Sequence, residues 1–321
     1  MTEQPAKTLP SNKLATTLGN LSLDSLLLNA SGTFNASQFN RMFSLKNTLG
    51  AVVTKTVTAN PCVGNIKPRT HELLGIGMLN SIGLQNPGLL YCLETELQAL
   101  AAIEMKAIVS ISANSVEGFA EMVQTIIAHP HAGHVLAIEL NLSCPNVEKG
   151  GVHFGRSTDA VHQTLKTISA FCKIPLIAKL TPNVDDIVAI GEAAVSGGAT
   201  ALTTINTVLG MAIDWKNKKA IMPRIAAGYS GPGIKPIALH AVWQLHAAMP
   251  WVPIVAVGGI CTPQDVLEFV LAGASAVQVG TICFRNPYIF REMADWLHQY
   301  CLEEKISTLA MLRGKAHQKN T

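Results

Sequence analysis

The chain contains no C-x-x-C pair, and its seven cysteines, at 62, 92, 144, 172, 261, 283 and 301, are scattered and odd in number. That excludes an iron–sulfur centre built from a local cysteine cluster, and it argues against a disulfide scaffold. A reduced protein with mostly buried thiols fits better. Charge is scarce too: charged residues make up 14% and the formal net charge is +3, with no basic block longer than "KNKK". So small an excess excludes an extended nucleic-acid surface. No apolar run reaches membrane-spanning length, and the opening "MTEQPAKTLPSNK" has no apolar core. No signal peptide or membrane anchor is therefore expected, and the reading is a cytoplasmic protein with a flexible tail over residues 1–13. There is no G-x-G-x-x-G after a first strand and no G-x-x-x-x-G-K-[ST], which disfavours Rossmann and P-loop nucleotide binding. No Pro/Ser-rich linker divides the chain, so residues 14–321 are read as one domain.

Against these absences stand 48% hydrophobic residues, arranged rhythmically. "LATTLGNLSL" reads as a small hairpin around Gly19-Asn20. Apolar, β-branched runs then recur at 26–32, 52–57, 107–112, 136–143, 176–181, 201–207, 254–260 and 276–281. Most are followed by helical patterns. The segment 115–129 opens on Ser115, 183–198 opens on Asn and acids and closes on Gly-Gly, and 262–274 opens on Thr-Pro. Eight near-continuous apolar strands separated by helices predict a parallel sheet buried on both faces. Closed by right-handed crossovers, it is a (β/α)8 barrel with loop insertions, with a doubly wound sheet as the competing fold.

A barrel places its chemistry at the C-terminal strand ends. Ser31, Lys55, Thr56, Asn141, Ser143, Cys144, Lys179, Asn206, Thr207, Gly258, Gly259, Gly280 and Thr281 fall there. Lys55 and Lys179 interrupt apolar strands, where an unpaired ammonium is costly. Either alone suits a structural pair with a carboxylate such as Glu139. Both together point to ligand contacts. The glycines after the last two strands suit a phosphate as well as tight turns. Asn80, Asn141 and Asn206 each offer a donor and an acceptor, which suits a planar ligand with alternating C=O and N–H groups. Cys144 ends the run "ELNLSCPN" before a glycine-containing loop, "PNVEKGGVHFG", that has the make-up of a lid. A small buried hydrophobe is the ordinary role of such a thiol, and a general base is the alternative.

Taken in order, "KTVT", "GMLNSIGLQNPG", "NLSCPN", "TINTVLGMAID", "SGPGIKP", "VGGI" and "VGT" resemble the class 1 dihydroorotate dehydrogenases, and most closely the catalytic chains of subclass 1B. The resemblance implies a TIM barrel that binds FMN and oxidises dihydroorotate to orotate in pyrimidine biosynthesis. It also implies a homodimeric core and a second subunit carrying FAD and an iron–sulfur cluster that passes electrons to NAD. By the same resemblance Cys144 is the base. Ser31, Lys55, Thr56, Asn141, Lys179, Ile205, Gly231, Gly258, Gly259, Gly280 and Thr281 match FMN contacts. Lys55, Asn80, Ser81, Ile82, Gly83, Leu84, Asn141, Asn206 and Thr207 match orotate contacts. One departure is Ser110, which stands where subclass 1B usually has an FMN-contacting Asn; a serine can still donate one hydrogen bond, so it is kept among the FMN contacts. No metal is implied. Other readings left open are a stand-alone enzyme using fumarate or another acceptor, a dihydropyrimidine-type dehydrogenase, a non-catalytic flavin-binding subunit, and a phosphate-sugar barrel enzyme without flavin.

Overall fold

A computed structural model describes residues 12–33, 46, 48–143 and 154–318. The expected flexible tail, except for Asn12 and Lys13, and the base expected at Cys144 lie outside the described residues. In chain order the strands are β1 (Thr16–Leu18), β2 (Leu21–Leu23), β3 (Leu27–Asn29), β4 (Val52–Val53), β5 (Thr70–Leu73), β6 (Gly77–Asn80), β7 (Ala107–Ile111) and β8 (Val135–Asn141). They continue as β9 (Leu176–Lys179), β10 (Ala201–Thr204), β11 (Val208–Gly210), β12 (Ile213–Asp214), β13 (Lys219–Ala220), β14 (Ala227–Ser230), β15 (Ile254–Val257) and β16 (Ala276–Val279).

All eight expected barrel strands form, and they pair in parallel in the order β3-β16-β15-β10-β9-β8-β7-β4. Leu28 bridges Ala51 in parallel, and Gly50 N donates to Leu27 O at 3.0 Å, which closes β3 onto β4. The sheet is therefore a barrel, not an open doubly wound sheet. The expected hairpin is β1–β2, with Thr16 opposite Leu23.

The helices follow their sequence signals. Ser115 accepts from Gly118 N and caps Val116–Ala128. Thr262 and Asp265 form a reciprocal capping box on Pro263–Leu271. The helix expected from residue 183 starts later, at Ile187, because Asp186 accepts from Val188 N and Ala189 N and takes the capping role. Asn183 is left for the barrel mouth. The outward faces of the strands and the inward faces of the helices merge into one apolar core, in which Phe119, Phe269 and Phe290 are fully buried.

An additional sheet, not apparent in the sequence, stands over the mouth. It is antiparallel, in the order β11-β14-β6-β5, with Gly228 opposite Asn80. Gly77 (φ 141°) shows how tightly it is built, since a Cβ there would lie 2.0 Å from Ser230 O. The short ribbon β12–β13 extends from the same insertion.

Candidate active site at the barrel mouth

Side chains alternate across a strand, so residues two apart share a face. In β8 this puts Glu139 and Asn141 on one face. Ser110 is opposite Glu139, and Lys179 is opposite both Asn141 and Thr203. The register thus gathers the polar residues of five strands into one layer inside an otherwise apolar barrel.

Glu139 is at the centre of this layer and is fully buried. Its Oε2 accepts from Gln278 Nε2 at 2.7 Å and from Thr203 Oγ1 at 3.0 Å. Its Oε1 accepts from Ser110 Oγ at 3.3 Å and lies 3.5 Å from Lys179 Nζ. Lys179 Nζ also donates to Gln278 Oε1 at 3.2 Å. Gln278 therefore bridges the two charges, donating to one and accepting from the other. An ammonium has three N–H groups. Two of them face Gln278 and Glu139, and among the described residues the third has no acceptor.

Hydroxyls continue the network towards the mouth. Thr56 Oγ1 is 2.9 Å from Ser110 Oγ, and Ser31 Oγ is 2.8 Å from Thr56 Oγ1. A hydroxyl has one hydrogen. Because Ser110 gives its hydrogen to Glu139, Thr56 must donate to Ser110 and Ser31 to Thr56. Thr56 N also donates to Ser31 Oγ at 2.8 Å. Ser31 is left with acceptor capacity at the pocket.

Lys55 stands beside this chain without an ion pair among the described residues. Burial, and then the Lys179 ammonium, hold it below its ordinary value, while Glu96 and Cys62 act in the opposite sense. Glu96 lies on a π turn, Cys92–Glu96, and burial pushes its carboxyl up. Burial and Glu96 together push the Cys92 thiol up to about 12. The folded chain therefore binds fewer protons at Lys55 than the unfolded chain between the lowered value and 10.5. By linkage, the cost of holding this ammonium is fully present below the lowered value and fades as pH rises through the window. Lys55→Met should thus raise the urea midpoint of the ligand-free protein at neutral pH, with the gain shrinking in alkali. A pH-independent difference would show that Lys55 is not strained.

On the other side of the mouth, Asn206 Nδ2 donates to Asn141 Oδ1 at 3.1 Å and to Ser143 Oγ, and Ser143 Oγ donates to Asn141 Oδ1 at 2.6 Å. Asn183 donates to Thr207 O at 3.1 Å and accepts from Leu209 N at 2.9 Å, joining β11 to the barrel. Asn80 Nδ2 donates to Gly228 O at 3.2 Å, and Thr207 lies close to the same glycine. The run from Asn80 to Leu84 is pinned from below. Asn65 N donates to Ile82 O, Asn65 Nδ2 to Ser81, Cys62 Sγ to Gly83 O, and Asn86 Nδ2 to Leu84 O. Gly83 and Leu84 have φ of 70° and 55°.

The glycine-rich positions assemble at the far end. Thr281 Oγ1 donates to Ser230 Oγ at 2.9 Å, bringing the end of β16 to the end of β14, next to Gly231. A Cβ on Gly259 would fall 2.6 Å from Lys235 N, so this turn lies against the start of the helix Lys235–Ala248. A Cβ on Gly258 would fall 2.8 Å from Ala238 Cβ and 3.5 Å from Ile205 Cγ1. A Cβ on Gly280 would fall 3.1 Å from Ala30 Cβ. Gly231, Gly258 and Gly259 all have positive φ, as a tight turn requires.

The mouth is thus polarised, with amines and hydroxyls on one wall, amides on the other, and glycine turns beside a helix start. Sequence reasoning did not assign site roles to Asn65, Asn86, Asn183 or Gln278. Only Gln278 carried a signal, as an isolated polar letter within "AVQVGT".

Residues 13–300 match the family model for dihydroorotate dehydrogenase. A protein of Alkaliphilus metalliredigens is 43% identical over 297 residues, covering 92% of this chain and 96% of its own. One of Desulforamulus reducens is 41% identical over 304 residues, covering 95% and 98%. One of Listeria innocua is 40% identical over 303 residues, covering 94% and 98%. All three are named dihydroorotate dehydrogenase B (NAD(+)), catalytic subunit.

Proposed function

The chain belongs to the dihydroorotate dehydrogenase family, and from that premise we propose that it oxidises dihydroorotate to orotate in pyrimidine biosynthesis, using FMN held in one barrel domain over residues 14–321. The observation that carries this reading is the charge balance of the barrel mouth. Lys55 and Lys179 converge on it, the layer between the strands supplies one fully buried carboxylate, and Lys179 keeps an N–H without an acceptor among the described residues. Such a site favours an electron-rich, anionic ligand.

The residues present suit a flavin. We assign its phosphate to the turns at Gly231, Gly258, Gly259, Gly280 and Thr281, beside the helix starting at Lys235. Ser31, Thr56, Ser110, Asn141 and Ile205 would hold the ring. When bound, FMN supplies the acceptor for a hydride from C6 of dihydroorotate. Lys179 directs its third N–H to the edge where negative charge develops. Lys55 would contact both cofactor and substrate. Asn80, Ser81, Ile82, Gly83 and Leu84 form one side of the substrate site, and Asn141, Asn206 and Thr207 form the other, so that amides fix the ring for in-line transfer. Cys144 removes the proton from C5.

The relatives' name, which gives NAD(+) and a catalytic subunit, favours NAD over fumarate as the final oxidant and a second subunit beside this one; FAD and an iron–sulfur cluster on that subunit are part of the proposal. An exposed apolar group on the mouth insertion, Leu209, Met211, Ile213 and Trp215, the last 76% exposed, supports a protein partner on this side. A homodimeric core and a cytoplasmic location complete the proposal. No helix among the described residues is long and apolar enough to cross a membrane.

The test is anaerobic. The purified chain should bind FMN, and its visible band should bleach on adding dihydroorotate. It should then stay bleached with NAD alone and recolour only with the partner present. A protein that takes up no FMN, or whose flavin ignores dihydroorotate, would refute the assignment. Recolouring with fumarate alone would transfer the chain to the stand-alone type.

A further inference from the structure

The interior of a (β/α)8 barrel is usually filled by layers of branched apolar side chains. Here one layer is polar. Glu139, Thr203, Gln278 and Ser110 are each buried to within 1% of full burial, and Lys179 is 7% exposed. Burying a carboxylate and an ammonium this deeply is costly, and replacing such a pair with apolar residues is often neutral or stabilising. Stability alone gives little reason for the layer.

We propose that Glu139 is a positioning residue that, together with Gln278, aims the Lys179 ammonium into the mouth, and that it thereby sets the charge on the reduced flavin. This role rests on the flavin reading above. Hydrogen-bond direction carries it. Glu139 accepts from Ser110, Thr203 and Gln278, so all three present donors to it. Gln278 cannot flip its amide without facing its N–H₂ to Lys179 and its carbonyl to Glu139. Lys179 is held on two sides, which leaves one N–H direction. The chain from Ser31 through Thr56 and Ser110 ends on the same carboxylate, so the opposite wall is oriented by the same group. Ser110 completes that chain, because its single hydrogen goes to Glu139.

Reduction of a flavin by two electrons takes up one proton at N5, giving an anion, or a second proton at N1, giving a neutral ring. A fixed ammonium at the N1 edge favours the anion. The pH dependence of the two-electron potential counts these protons. In the wild-type holoenzyme around neutral pH the count should be one. In Glu139→Gln it should rise to two, because the ammonium is no longer held at the ring. In the flavin-free protein the same variant should let a small amine-reactive reagent modify Lys179 roughly tenfold faster or more. Gln278→Met keeps both charges and removes only the bridge, so it should shift both readouts in the same direction by less. It also decides the matter if Glu139→Gln does not fold.

A pair that only holds the barrel together would leave proton count and modification rate unchanged, and that result overturns the proposal. The modification assay needs no flavin. If dihydroorotate fails to bleach the protein, the functional reading falls while the positioning of Lys179 is still decided. If bleaching is normal and neither readout moves, positioning alone falls.

Discussion

Cys144→Ala should retain FMN with its usual affinity and lose roughly 10²–10⁴-fold in the rate of flavin bleaching by dihydroorotate, the range for a lost general base. Flavin retention follows from placement. The proposed FMN contacts lie on β7 and at the ends of β3, β4, β8, β9, β10, β14, β15 and β16, spread over the barrel rather than gathered at position 144. The loss of rate follows from chemistry, because hydride transfer from C6 needs the C5 proton to leave, and neither Lys55 nor Glu139 is its proposed acceptor. Lys55 is held as a hydrogen-bond donor in the proposed complex, and Glu139 lies beneath the floor with its oxygens occupied. Stopped-flow bleaching at saturating dihydroorotate measures the step directly. A variant that bleaches within a few-fold of wild type would remove Cys144 from the reaction. Loss of FMN along with rate would instead make it a structural residue of the pocket.

The barrel was legible because its strands are long apolar runs punctuated by caps. Ser115, Thr262 and Gly19-Asn20 each act locally, through hydrogen bonds or turns only a few residues away. The mouth sheet was not legible. Strands β5, β6, β11 and β14 are three or four residues long and mostly half-exposed, so neither a burial period nor β-branched enrichment marks them. The pairing of β6 with β14 joins Asn80 to Gly228, a span that no local pattern encodes. The polar layer was half legible. Lys179 and Glu139 were visible as charges within apolar runs, and alternation gave their faces. Their contact depends on register between strands, which only the closed barrel fixes. Asn183 shows the converse limit. A helix-opening Asn is the ordinary expectation, yet Asp186 sits nearer the first turn and takes the cap, freeing Asn183 to join β11 to the barrel.

Lys179→Met should lower the stability of the flavin-free protein by about 3–5 kcal/mol, the cost of leaving a buried charge without its partner. Glu139 would keep three hydrogen bonds but lose its cation, at a position 0% exposed to water. The double variant Lys179→Met/Glu139→Gln should recover most of that loss, because an amide in the same shape carries no charge: its oxygen still accepts from Ser110, and its N–H₂ faces the Thr203 hydroxyl, which can turn to accept, and the Gln278 amide, which can flip once Lys179 is gone. Flavin should behave differently. Its affinity, or its rate of reduction, should fall in the single variant and stay low in the double, since the ammonium that faces the ring is missing from both. Urea unfolding of the flavin-free chains gives the first quantity, and fluorescence quenching on FMN addition gives the second. Equal stability losses in single and double variants would show that the two charges are not coupled. Recovery of flavin binding with stability would show that Lys179 serves the barrel alone. Stability restored without flavin function is the split expected when the carboxylate makes the buried ammonium tolerable and the ammonium serves the ligand.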